Sequence, residues 1–258
     1  MFDSRPQLNE CIELTSLPNS LGGCTGLTAL SAHNCKLTGL PAGLGDCAGL
    51  RTLDISYNKI VESVEPAGVG RLSALETLNA SFCRQMGTFS AVPASSRLLR
   101  LYLGHNRLSR VDGPALLRAP NLQELLLNNN LLESLPDEVG ALLKLKLVDF
   151  GCNSLQSVPT GLGYLPELQR ISYAGNPCEV RLGTRDTGDL KRFMRTRGPP
   201  HPALAAAGID AEDESDASGE RAALCEGLIS REPLCTVLRD LAPLRLSRGT
   251  LTHSWRRR

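Results

Sequence analysis

The chain has no apolar run approaching the ~18 to 20 residues of a membrane-spanning helix. It also has almost no net charge, +1 over 258 residues, so the basic face that nucleic-acid binding ordinarily needs is not expected. Aromatic residues are scarce, at 4%, which makes the place of each one informative. The opening stretch MFDSRPQLNECIELTSLP carries Asp3, Glu10 and Glu13 where a secretion signal would carry an apolar core. The expected location is therefore cytoplasmic. Cysteine is not scarce, but its count of nine is odd and no C-x-x-C pair occurs. In a reducing compartment these residues are expected as free thiols filling small core positions, not as disulfides or metal ligands.

Catalytic signatures are missing as well. The chain contains no G-x-x-x-x-G-K-[ST], no H-E-x-x-H and no G-x-S-x-G. GLGDCAG is glycine-rich, but its spacing differs from G-x-G-x-x-G. The histidines at 33, 105, 201 and 253 lie in separate segments without cysteine or carboxylate partners at ligand spacing. No enzyme, cofactor or metal is expected.

What the chain does have is a repeat. The same phrase recurs from Leu27, Leu50, Leu75, Leu98, Leu122, Leu145 and Leu168, at separations of 23, 25, 23, 24, 23 and 23 residues. In NLQELLLNNNLLESLP, for example, Leu122, Leu125 and Leu127 fill the first, fourth and sixth positions and Asn130 the ninth. A half-copy, CIELTSLP, precedes the series with Leu14, Leu17 and Pro18 in register.

These copies resemble the leucine-rich repeat, L-x-x-L-x-L-x-x-N/C-x-L, and more narrowly its 23-residue class. LPNSLG, LPAGLG, LPDEVG and VPTGLG carry that class's ending. The resemblance runs over roughly residues 11 to 180 and extends to the repeats of cytosolic Ras-suppressor-like and plant intracellular Ras-group-related proteins. It implies an α/β fold: a leucine-rich-repeat solenoid with a curved parallel sheet on its concave face, a C-terminal helical cap and a tail.

The physics of the repeat agrees. Positions four and six share one face of a strand, and one unit cannot bury that face alone, so stacked copies make a continuous core. Eight strands at ~4.8 Å spacing would give a sheet roughly 38 Å long. At position nine the chain turns off the sheet and strands backbone groups that need partners. Asn58, Asn106, Asn130, Asn153 and Asn176 both donate and accept, and so are expected to bridge successive coils. Cys35 and Cys83 stand in the same slot as weaker partners. Around Met86, one residue late, a bulge is expected, and SAVPASSRLL and VDGPALLRAPN lack the regular turn. The middle of the solenoid should be its least regular part.

Four segments follow: a solenoid over 1–180, a capping helix over 181–198, an acidic linker over 199–219 and a helical extension over 220–258. In the cap, Leu190, Phe193 and Met194 fall at helical spacing, with Asp186 or Thr187 as N-cap. Lys191, Arg192, Arg195 and Arg197 are expected on its solvated face. The linker has the composition of a disordered segment. The extension, broken at Pro233, reads equally as helices folding back on the solenoid or as an amphipathic peptide for a partner's groove.

Function is then expected on the surface. Positions three, five, seven and eight project from the concave sheet. There the candidate partner-binding residues are His33, Asp54, Tyr57, Phe82, Arg100, Tyr102, His105 and Leu126. Aromatics among polar residues make interface anchors, and Leu147 extends the apolar strip. Within NLQELLLNNNLLESLP, Leu126 is the letter the repeat does not explain, with Leu131 and Glu133 at the edge of the face. The expectation is a non-catalytic scaffold, monomeric on its own, that binds a protein partner, with no nucleic acid and no membrane insertion. Two alternatives stay open: a regulatory subunit of a small GTPase or phosphatase, and a structural component of a cytoskeletal or flagellar assembly.

Overall fold

The computed structural model describes residues 8–60, 68–83, 87–89, 92–179, 187–199 and 201–208. Positions three to five of every copy form a short strand: β1 (Ala29–Ser31), β2 (Thr52–Asp54), β3 (Thr77–Asn79), β5 (Arg100–Tyr102), β7 (Glu124–Leu126), β8 (Leu147–Asp149) and β9 (Arg170–Ser172). These seven pair in parallel, in chain order and in strict register. Leu30, Leu53, Leu78, Leu101, Leu125, Val148 and Ile171 therefore lie side by side, all buried. A one-residue slip would turn this row to solvent, so burial fixes the register.

Seven strands lie among the described residues; the strand positions of the half-copy, which would make an eighth, fall within residues 1–7, outside the described residues. Residues 8–10 do cover the free edge of β1: the Leu8 N–H donates to the Ser31 carbonyl at 2.7 Å and the Glu10 N–H to His33 at 2.8 Å. The seven described strands, at ~4.8 Å each, make a sheet roughly 34 Å long.

Asn at position nine does what its chemistry predicts. Asn58 Nδ2 donates to the carbonyls of Ala32 and Ile55 at 2.8 Å each, while Oδ1 accepts the Leu37 N–H at 2.9 Å. Asn130, Asn153 and Asn176 repeat that pattern on the following coils, and Asn106 repeats its donor half. The Cys35 and Cys83 thiols donate once each across the gap, to Leu8 and Ile55 at 3.1 and 3.3 Å.

On the side opposite the sheet the chain returns in 3-10 turns, Asn19–Gly23, Ala42–Asp46, Val69–Arg71, Asp137–Ala141 and Thr160–Tyr164. Coils touch closely there. A Cβ on Gly45 would sit 2.4 Å from the Gly68 carbonyl oxygen, which is why the turn signature carries glycine. The middle is irregular, as its sequence suggests. Residues 92–97 have no helical turn, Gly113–Leu116 is α-helical, and among the described residues β4 (Thr88–Phe89) pairs only with β6 (Arg110–Val111). The bulge expected at Met86 lies outside the described residues.

The helix Thr187–Arg195 closes the last coil with Leu190 and Met194 buried and Phe193 half-buried. Thr187 begins the helix, and its Oγ1 accepts the Ile171 N–H at 3.4 Å; Asp186 lies outside the described residues. The basic residues of this helix are not simply a solvated face. Lys191 Nζ donates to the Leu165 carbonyl at 2.8 Å, and Arg195 Nε donates to Gly163 at 2.9 Å. Arg197 lies over the Phe193 ring at 4.7 Å. Among the described residues the last coil has no successor to satisfy its carbonyls, and cationic side chains take that place. Burial pushes the Lys191 ammonium below its usual range.

Within the expected linker, Pro202–Ala206 forms a short helix that buries Leu204. Residues 209–258, with the expected helical extension, lie outside the described residues. The cysteines also depart from expectation. Cys35, Cys47, Cys83 and Cys178 are buried, but Cys11, Cys24 and Cys152 are exposed, and all seven of these are free thiols. Cys152 is exposed because it stands one residue before the inward-turning ladder position, where side chains face out.

Candidate functional site

Backbone pairing between coils continues beyond the strands. Each position-eight N–H donates to the position-seven carbonyl of the next coil, as Tyr57 does to Ser81, Phe82 to Gly104 and His105 to Asn128, at 2.8 to 2.9 Å. To reach that carbonyl and then swing position nine inward, position eight must turn sharply. Asn34, Tyr57, Phe82, His105, Asn129 and Cys152 all have φ between 54° and 59°, and Gly175 has φ 75°. This is the left-handed region, at ease for Gly and tolerable for Asn, but costing roughly 1 to 2 kcal/mol for other residues.

The aromatic residues of this row stack. The Tyr57 and Phe82 ring centroids are 4.1 Å apart at 12°, and Phe82 and His105 are 4.0 Å apart at 9°. His33, from position seven of the first full copy, meets Tyr57 edge to face at 5.0 Å. Four of the eight predicted site residues thus form one continuous rim across four coils. Tyr57 is 45% exposed, whereas both faces of Phe82 are covered. Beside the stack, Phe82, His105, Asn106, Arg107 and Asn129 line a shallow hollow of about 290 Å³.

The other predicted residues lie on the sheet face itself. Position five forms the row Ser31, Asp54, Asn79, Tyr102, Leu126, Asp149 and Ser172. Asp54, Asn79 and Asp149 each accept the backbone N–H two residues on, at 2.9, 3.1 and 2.9 Å, and so prepare the turn at position eight. Burial pushes the Asp149 carboxyl above its usual range.

Asp54 also accepts the Ser56 hydroxyl at 2.6 Å, and His33 Nδ1 lies 2.9 Å from that same oxygen. Aspartate, serine and histidine therefore meet, but with the buried serine in the middle and its proton held by the carboxylate. Nucleophilic catalysis needs histidine to take that proton. The trio is a strut between two coils, and it positions His33 against Tyr57.

Tyr102 does not join the stack. It is 9% exposed, and its hydroxyl bonds to Glu124, whose other oxygen lies 3.5 Å from Arg100 Nε. Burial first, then the bond to Glu124, pushes the Tyr102 phenol well above its usual range. Leu126 is only 6% exposed, because Tyr102 and Asp149 flank it in register. It is the floor of the face, with Leu147 half-buried beside it. Leu131, in contrast, is 55% exposed on the lateral edge.

The repeat pattern places Tyr57, Phe82 and His105 on the face, but carries neither the strain they bear nor the stack they make. A signal was present: Asn34, Asn129 and Gly175 share their slot and are the residue types that tolerate left-handed backbone. Arg107 was missed altogether; it occupies the exposed tenth position next to the hollow.

The leucine-rich-repeat family pattern matches residues 120–177. Chaoptin of Drosophila melanogaster is 32% identical over 128 residues, which is 48% of this chain and 9% of chaoptin. Rabbit (Oryctolagus cuniculus) lumican is 32% identical over 108 residues, 41% of this chain and 55% of lumican. The chain thus spans about half or less of the length of these relatives. Among solved structures, the receptor-kinase ectodomain GASSHO1/SCHENGEN3 of Arabidopsis thaliana, in complex with CASPARIAN STRIP INTEGRITY FACTOR 2, matches with TM-score 0.54 and 25% identity. That match covers 63% of this chain and 20% of the receptor's. An internalin of Listeria monocytogenes matches in fold, with TM-score 0.52 and 20% identity over 62% of this chain and 45% of its own. The fold is a leucine-rich-repeat solenoid.

Proposed function

We propose that this solenoid is a non-catalytic protein-binding module whose partner lies against the concave sheet face and is anchored on the rim His33, Tyr57, Phe82 and His105. One observation carries this reading. Tyr57 and Phe82 stand in left-handed backbone, where Asn or Gly would cost less, and stack at 4.1 Å on a solvent-facing edge. Strain held by the surrounding structure at an exposed site points to use. The sheet beneath is cross-linked by backbone and ladder hydrogen bonds, so a partner meets a preformed surface and little ordering entropy is lost.

The repeat spacing and the LPxxLG turns support placing the chain in the 23-residue class. The free thiols among the described cysteines support the cytoplasmic location. The test is affinity capture with the chain carrying Tyr57→Ala, Phe82→Ala and His105→Ala. Capture should be lost while the melting temperature stays within a few degrees. An unchanged set of captured proteins would refute the reading.

A further inference from the structure

Position ten of the repeat lies just beyond the inward-turning ladder residue and faces out next to the rim. In the four coils that carry the rim it is basic: Lys36, Lys59, Arg84 and Arg107, of which Arg84 lies outside the described residues. Lys59 and Arg107 are exposed. No carboxylate pairs with either among the described residues, whereas Lys36 reaches Glu13 at 3.4 Å. Arg107 also lines the hollow that holds the edges of Phe82 and His105. The basic stretch is bounded by Glu10 and Glu13 at one end and by Leu131 and Glu133 at the other.

The rings sharpen the chemistry. Phe82 has Tyr57 on one face and His105 on the other, at 4.1 and 4.0 Å. No base or cation can stack on it. What the rim presents is ring edges, which carry the positive end of the aromatic quadrupole. Cations and ring edges call for the same thing, a run of anionic acceptors. Single-stranded nucleic acid is disfavoured, because its binding depends on open aromatic faces.

We infer that the rim of Tyr57, Phe82 and His105 with Lys59 and Arg107 docks an Asp/Glu-rich segment of the partner protein, its carboxylates set against the two cations and the ring edges. This rests on the protein-binding reading above and adds the partner's chemistry. The footprint from the coil of Lys59 to that of Arg107 spans two coil spacings, roughly 10 Å, about three residues of extended chain.

The experiment uses the full chain and three fluorescent ten-residue probes: an Asp/Glu-rich peptide, its Asn/Gln counterpart, and oligo-dT. The acidic peptide should bind, weaken severalfold between low and moderate salt, and lose about tenfold in affinity with Lys59→Glu plus Arg107→Glu. Phe82→Ala should weaken it as well. Reversing two exposed arginines elsewhere, Arg97 and Arg118, should change affinity less than twofold, which separates a local site from net charge. Circular dichroism checks that each variant is folded.

The proposal is overturned if the acidic peptide does not bind, or if rim and control reversals act alike. It is overturned equally if oligo-dT binds as tightly and loses as much. An acidic peptide that fails while the rim alanines still abolish partner capture sinks the acidic chemistry alone. If capture also survives those alanines, the protein-binding reading fails with it.

Discussion

Replacing Asn130 with alanine should cost about 2 to 4 kcal/mol, and the structure says where the cost falls. Asn130 Oδ1 accepts the buried Leu108 N–H at 3.0 Å, and Nδ2 donates to the carbonyls of Leu103 and Leu127 at 3.0 and 2.9 Å. Both carbonyls are shared. Leu103 also accepts from Asn106 at 2.8 Å, and Leu127 from Asn153 at 3.0 Å. Each would keep one partner after the substitution, so the orphan is the Leu108 N–H. An unsatisfied buried donor costs about 1 to 3 kcal/mol, and the void left by the amide adds roughly 1 more. Asn130→Asp should be worse than alanine: it keeps the acceptor for Leu108 but turns a carboxylate oxygen toward the two carbonyls. Urea unfolding monitored by circular dichroism measures both. The reasoning is refuted if Asn130→Ala costs less than ~1 kcal/mol, or if Asp is tolerated better than Ala.

Other consequences follow from the same geometry. Asp149→Asn should raise the melting temperature at neutral pH, since Asn79 already makes the same turn bond in its own coil. The sign comes from the raised carboxyl: the folded chain holds this proton more tightly than the unfolded chain, so the ionised form opposes folding. The gain should therefore be full at neutral pH and shrink as pH falls through the carboxylate range; a gain independent of pH would count against it. Gly45→Ala should cost about 1 to 3 kcal/mol through its clash with the Gly68 carbonyl, and a neutral result in thermal melts would show that the coils can separate there. At pH 8, thiol labelling with peptide mapping should mark Cys11, Cys24 and Cys152 in the folded protein and spare Cys83. Burial pushes the Cys83 thiol up to about 12; rapid labelling of Cys83 would mean that the ladder opens.

The solenoid was legible because its physics repeats. A core position occupied by Leu in copy after copy, and an Asn wherever the chain leaves the sheet, leave few other folds available. Local detail was less legible where one coil must satisfy another. The basic residues of the capping helix look like a solvated face in isolation, and only the unpartnered carbonyls of the last coil explain why Lys191 and Arg195 turn inward. In the pattern Tyr102 is equivalent to Tyr57, since both are aromatic and face outward. Position five lies within the sheet between neighbours, however, and Glu124 on the next strand claims the Tyr102 hydroxyl. Leu126 is unexplained by the repeat pattern alone, but it is buried once Tyr102 and Asp149 stand on either side. The stack of Tyr57, Phe82 and His105 was half legible. Its positions follow from the repeat, while its geometry depends on the left-handed turn that aligns the rings.

The central claim, that a partner engages the aromatic rim, is tested most directly by site-specific photocrosslinking of the full chain. A photoreactive residue at position 57 is compared with one at Leu117, which is 45% exposed on the opposite side of the solenoid. The account predicts a covalent adduct to one partner protein from position 57 and none to that protein from position 117. Equal adducts from both positions, or an adduct from position 117 alone, would contradict it.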